Sequence, residues 1–256
     1  WAGAAEVNPM RLAGGLTGGA WAAHWLADLG DGRFDGAWLV QNFENLQPAR
    51  SLWSKYYTLY ADPAGERERF LAFERWWSGF YFLSREEMLA IVQNLFIGNR
   101  LERGELRVDE CCTLDLRRLR SPLVVFASRG DNITPPHQAL AWIPALYEDT
   151  AALVQAGQRI VYLLHEHAGH LGIFVSAAVA QREHQAILSA LPSIETLSPG
   201  LYEMVLDDRT PADPVAPRPL PAVRFEPREV ADLQVAYPRA SFERVRQLSE
   251  TLDAAY

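Results

Sequence analysis

Two short apolar runs constrain the fold more than anything else in this chain. Pro122-Leu123-Val124-Val125-Phe126-Ala127-Ser128 is bounded by Pro122 and Gly130, and Arg159-Ile160-Val161-Tyr162-Leu163-Leu164-His165 follows about thirty residues later. Runs of strand length that are apolar on successive residues, not on alternate ones, read as strands covered on both faces, which is the habit of parallel sheets. Between them, Pro135 and Pro136 are suited to opening a helix, expected to run through about Tyr147. A second helix is expected from about Ile173 to Leu191. Strand, helix, strand, helix implies an α/β fold with a parallel sheet and right-handed crossovers.

The flanking regions differ in character. Residues 1–104 hold Trp1, Trp21, Trp25, Trp38, Trp53, Trp76 and Trp77, seven of the eight tryptophans. Apolar residues recur at helical spacing in Gly36–Leu46, Ala49–Tyr60, Arg67–Trp77 and Arg85–Ile97, and no clear strand stands out. Ser84 with Glu87 three residues on is a capping-box pattern, so a helix should begin there. This part reads as a helical, aromatic-rich layer. Pro211, Pro214, Pro217, Pro219, Pro221 and Pro227 mark residues 207–227 as an extended linker without a folded element. A helical pattern follows over residues 228–256. Trp1-Ala2-Gly3 reads as the interior of a longer protein, cut at its N-terminus.

Composition narrows the class of partner. A net charge of −8 and a pI of about 5.3 argue against nucleic acid, since binding phosphate requires clustered Lys and Arg. The two cysteines, Cys111 and Cys112, are adjacent, which suits a reducing compartment better than a disulfide. No apolar run reaches the ~18 residues expected of a membrane span, and no signal peptide is visible. A cytoplasmic location is expected.

In parallel sheets functional residues gather just beyond the C-terminal ends of strands. Asp131 follows the first strand, in Ser128-Arg129-Gly130-Asp131-Asn132-Ile133-Thr134-Pro135-Pro136, and His170 follows the second, in His165-Glu166-His167-Ala168-Gly169-His170-Leu171-Gly172. An acid at one strand tip and a histidine beyond the next can meet. The acid would accept a hydrogen bond from the imidazole, fix its tautomer and stabilise its charged form, leaving the other ring nitrogen to face a nucleophile. Acid before histidine is also the chain order of α/β-hydrolases. Against this stands the plainer reading, in which the Asp is only a turn or helix cap and the histidine a surface or capping residue.

The runs Asn94-Leu95-Phe96-Ile97-Gly98-Asn99-Arg100-Leu101, Leu114-Asp115-Leu116-Arg117, and Gly130-Asp131-Asn132-Ile133-Thr134-Pro135 resemble the C-terminal half of polyhydroxyalkanoate synthases. Gly169-His170-Leu171-Gly172 resembles their histidine segment. Asn8-Pro9-Met10-Arg11, the run from Phe34 to Asn45, and Gly169 to Ser176 are similar to a bacterial family related to those synthases, DUF3141. The resemblance implies the C-terminal part of an α/β-hydrolase fold at residues 105–206 and a helical cap at residues 1–104. It implies an acyl-CoA or ester substrate, with Asp131 and His170 serving a nucleophile on an elbow upstream of Trp1. This chain alone would then show no turnover. No cofactor and no metal are expected.

Other readings remain open. Gly15-Leu16-Thr17-Gly18-Gly19 has elbow spacing, but no buried strand precedes Thr17. Cys111 or Cys112 could be a thiol nucleophile, yet Asp109 and Glu110 beside them disfavour a thiolate. His165, His167 and His170 could ligate a metal, with Glu166 pointing the wrong way to join them; the plainer reading is that His165 or His167 packs near the site or ends the strand. The tryptophans can be packing, an acyl channel, or a contact between copies of the chain in a homo-oligomer. An esterase or thioesterase, and a non-catalytic interaction module, are the alternatives to acyl transfer.

Overall fold

The computed structural model describes residues 20–46, 48–96, 99–109, 112–131, 133–207, 221–233, 247 and 251. The Gly15–Gly19 segment with Thr17, and Cys111, lie outside the described residues, as does nearly all of the helical pattern expected after 228. The architecture is mixed α/β, with a four-stranded, mostly parallel sheet and a small antiparallel pair.

The first apolar run forms β3 (Leu123–Ser128) and the second β4 (Arg159–His165). They pair in parallel from Leu123 opposite Ile160 to Ser128 opposite His165. A strand not expected from the sequence, β5 (Gly200–Asp207), continues the sheet in parallel on the far side of β4. Side-chain alternation gives the sheet two faces. Ile160, Tyr162 and Leu201 pack with Trp142, Ile143 and Leu153 on one. Val161, Leu163 and Met204 pack with Ala186, Ala190 and Ile194 on the other. Both faces of β4 are therefore covered, which explains why its sequence does not alternate.

The proline-rich stretch departs from expectation. Residues 222–228 form β6 (Ala222–Arg228), antiparallel to β5 along its length. Val223 and Phe225 reach the second core, while Arg224, Glu226 and Arg228 project to the opposite side. That period of two is the strand signal, and the surrounding prolines hid it. Pro227 is tolerated because β6 is the outer strand of the described sheet, where a missing N–H costs no ladder bond.

The helices after β3 and β4 are also more broken than expected. The first divides into α6 (Pro136–Leu140) and α7 (Trp142–Leu146), with α8 (Thr150–Gln155) before β4. The second begins as α9 (Gly172–Val175) and α10 (Ala177–Val179), passes through a π-helical turn over Ala180–His184, and continues as α11 (Gln185–Thr196).

The N-terminal part is helical, as its periodicity predicts. It contains α1 (Trp21–Leu29), α2 (Ala37–Leu46), a π-helical turn Arg50–Ser54 running into α3 (Lys55–Ala61), α4 (Pro63–Trp77) and α5 (Arg85–Ile91). Two three-residue strands, β1 (Arg33–Asp35) and β2 (Phe82–Ser84), pair antiparallel and were not foreseen. Ser84 caps α5 as its sequence predicts: its hydroxyl accepts the Glu87 N–H, and the Glu87 carboxylate accepts the Ser84 N–H at 2.8 Å. Ala20, Ala23, Phe34, Met88 and Val92 close a small core beneath α1 and α5. No residue of α3 or α4 is buried.

Candidate active site

Asp131 lies three residues beyond the end of β3, and its side chain is fully enclosed. Its turn is held by the Asp131 N–H donating to Ser128 O at 3.2 Å and the Gly130 N–H donating to Ser128 Oγ at 3.2 Å. Gly130 lies against the main chain of the histidine loop. A Cβ there would come within 2.6 Å of the His167 carbonyl carbon, so only glycine lets the two loops approach this closely.

The carboxylate has four donors. Oδ1 accepts the N–H groups of Ile133 at 2.8 Å and Thr134 at 2.9 Å. Oδ2 accepts the Thr134 hydroxyl at 2.6 Å and His170 Nδ1 at 2.9 Å. Contacts within its own turn and the contact to the histidine are thus both present in one side chain, the histidine sharing Oδ2 with the Thr134 hydroxyl. Burial alone would raise the pKa of this carboxyl. The hydrogen bonds from the Thr134 side chain and N–H, from His170 and from Ile133 outweigh burial and hold it below the ordinary carboxylate value.

His170 is brought to Asp131 by the loop between β4 and α9. The Thr134 hydroxyl is committed to Asp131, so it can only accept from the imidazole, which lies 3.1 Å from it. Nδ1 therefore carries the proton and shares it between Asp131 Oδ2 and Thr134 Oγ1, leaving Nε2 free to accept one in the neutral ring. Phe43 of α2 stacks on the imidazole with ring centroids 6.1 Å apart and planes 10° off parallel. Phe174 of α9 meets it edge-on at 6.4 Å. The helical part and the sheet part thus meet at His170.

Thr134, Phe43 and Phe174 escaped sequence reasoning. Thr134 carried a usable signal, since a hydroxyl three residues after a turn-forming Asp falls within reach of its carboxylate. Nothing in the sequence links Phe43 to a residue 127 positions away.

The other candidates fall elsewhere. Cys112 is exposed, and its carbonyl accepts the Val108 N–H at 2.9 Å in a small turn closed by the Arg107–Thr113 bridge. β4 ends at His165, so the strand alternation that would have aligned His165 with His167 does not persist. His165 Nδ1 instead accepts the N–H groups of His167 at 3.0 Å and Ala168 at 2.9 Å. Among the described residues, no group of three His, Cys, Asp or Glu is arranged to hold a metal ion. A cleft of about 770 Å³ beside the acid loop is lined by Arg129, Pro135, His137, Tyr162, Glu203 and Arg228, and neither Asp131 nor His170 belongs to its wall. Burial and the Glu203 carboxylate push the Tyr162 hydroxyl up to about 12, so it enters that cleft as a neutral phenol.

Residues 1–256 match the model of a family described as a protein of unknown function, DUF3141. The chain belongs to the DUF3141 family. A relative from Rhizobium meliloti, described as an uncharacterized protein in the ackA 5′ region, is 53% identical over 212 residues, which is 83% of this chain. The match covers 29% of that relative, so this DUF3141 chain spans under a third of its length. No solved structure matches the chain. Among the described residues, no helix is long and apolar enough to cross a membrane.

Proposed function

We propose that this chain carries the acid and the histidine of an acyl-transfer site, in a protein of α/β-hydrolase type resembling the polyhydroxyalkanoate synthases. The observation that carries the reading is the 2.9 Å hydrogen bond from His170 Nδ1 to a fully enclosed Asp131 carboxylate. An enclosed carboxylate saturated with donors is a poor base and a poor metal ligand. It is well suited to fixing an imidazole tautomer and to stabilising the imidazolium.

In this reading a Cys or Ser from outside these 256 residues gives its proton to His170 Nε2 and attacks the carbonyl of a hydroxyacyl-CoA thioester. The tetrahedral intermediate expels the CoA thiolate, which takes that proton from Nε2. The acceptor hydroxyl then gives its proton to Nε2 and attacks the acyl-enzyme, and the Cys or Ser expelled as the acyl–enzyme bond breaks takes that proton back. With water as the acceptor the same residues make a thioesterase. Residues 1–104 act as a cap and 105–206 as the last part of the core, with Phe43 reaching from cap to histidine. On the side of β3 away from β4, no strand pairs with it among the described residues, and Leu123–Phe126 are only half-buried. That suits a sheet continued by the rest of the protein. The cytoplasm, where CoA thioesters are found, is the setting that fits.

A second reading, a non-catalytic interaction module, draws on exposed aromatics. Trp53, Tyr57 and Tyr60 stand four and three residues apart along one helical face, and all are largely exposed.

The test is to quench the full-length protein with a hydroxyacyl-CoA and locate acyl adducts by mass spectrometry. The expected result is an acyl mass on a Cys or Ser outside residues 1–256. An adduct on Cys112, or none while CoA is released, contradicts the proposal.

A further inference from the structure

The helical stretch after His170 turns Val179, Glu183, Ala186, Ala190 and Ile194 inward, at spacings of four, three, four and four. Four of these are apolar and pack beside the sheet. The fifth is a carboxylate only 2% exposed, set in the π-helical turn. Burying a carboxylate is costly unless it is paired, and π-helical turns often coincide with functional positions. Glu183 pairs with the guanidinium of its neighbour Arg182, which reaches solvent. Its other partner is the imidazole of His165, with Nε2 3.7 Å from Glu183 Oε1.

His165 is the last residue of β4, and three separate ties converge on it. Its carbonyl accepts the Arg129 N–H at 2.8 Å, which anchors the loop carrying Asp131. Its ring Nδ1 accepts the N–H groups of His167 and Ala168, which curl the loop carrying His170. A nitrogen that accepts N–H groups holds no proton, so the proton of the neutral ring sits on Nε2, toward Glu183. Phe126 meets the ring edge-on at 6.4 Å.

We propose that His165, held as the Nε2–H tautomer facing Glu183, is the positioning residue that aligns His170 with Asp131. It touches no reacting atom and acts through the main chain of residues 167 and 168. The inference rests on the reading of Asp131 and His170 as a catalytic pair. Its test is chosen to succeed or fail independently of acyl transfer.

The probe is the low-field proton resonance of His170 Nδ1–H in the full-length protein, assigned by its loss in His170→Ala. His165→Asn places a carbonyl oxygen where Nδ1 was, and His165→Gln places its polar group near the Nε2 position instead. The resonance is expected to persist in His165→Asn and to vanish in His165→Gln and Glu183→Leu, with cooperative unfolding retained. Where turnover exists, kcat should fall about tenfold to a hundredfold in His165→Gln at unchanged KM, the scale of a small misplacement of a reacting group. It should recover in His165→Asn. A resonance that survives in His165→Gln, or disappears equally in both His165 variants, overturns the proposal. Survival of the resonance in Glu183→Leu overturns it as well. If the resonance follows the expected pattern in a protein without acyl-CoA turnover, the positioning role stands and the acyl-transfer reading falls.

Discussion

Ile160, Val161, Tyr162 and Leu163 in β4 are each at most 4% exposed, whereas Trp53, Tyr57 and Tyr60, on the helical hairpin that the π-helical turn Arg50–Ser54 and α3 form with α4, are 73%, 72% and 80% exposed. Both segments are rich in apolar side chains. In the sheet, helices on both faces remove those side chains from water, and that burial is the main term stabilising a fold. In the hairpin the helices are held by polar ties and by partly exposed ring contacts, Tyr56 with Phe70 at 5.9 Å and Phe43 with Trp77 at 6.3 Å. Lys55 reaches Glu74 at 3.0 Å and Glu44 at 3.6 Å, and Trp77 Nε1 donates to Glu44 at 3.1 Å. Partly exposed ion pairs of this kind contribute about 1 kcal/mol or less each. Apolar content therefore says little about where stability resides, and the site lies where the two kinds of region meet, at Phe43 and His170.

The comparison can be broken most severely in the sheet. Ile160→Ala should cost about 2–5 kcal/mol in urea unfolding, because it opens a cavity between the sheet and the helices that carry Trp142, Ile143 and Leu153. A cost below about 1 kcal/mol would mean that β4 is not the centre of the core. Next comes acid. The carboxyl of Asp131 titrates lower in the folded protein than in the unfolded chain, where Asp lies near about 3.9. Its contribution is fully present above that value and is lost as pH falls through the depressed folded pKa. Thermal melts should show wild type losing stability faster than Asp131→Asn below about pH 4; parallel curves would contradict the assignment. Ser84→Ala removes a capping hydroxyl and should cost about 1 kcal/mol, measured by the same unfolding curves. The smallest effect is expected at Trp53→Ser, Tyr57→Ser and Tyr60→Ser, each within about 0.5 kcal/mol of wild type. A larger loss would show that these three exposed aromatics contribute to the fold.

What the sequence disclosed follows the same division. β3 and β4 were legible because strands covered on both faces leave an unbroken apolar run. The Ser84–Glu87 cap was legible because its chemistry is local. β6 was not, since its alternation of Val223 and Phe225 with charged residues is submerged in prolines. β5 was not either, with Glu203 placed among its apolar residues. Asp131 and His170 were singled out from their places after strands, and the fold brings them into hydrogen-bond contact. Thr134 and His165 act through hydrogen bonds to nearby main chain or side chain, and they looked like an ordinary turn residue and a strand end. Phe43 meets His170 only because the fold brings them together.

The most direct measurement is CoA release from a hydroxyacyl-CoA by the full-length protein, comparing wild type with His170→Ala. Loss of a general base acting in concert with a nucleophile should lower kcat by about a thousandfold or more, with cooperative unfolding retained. CoA release that continues within about threefold of wild type, well short of one catalytic interaction's worth, would contradict the assignment of His170 as the base.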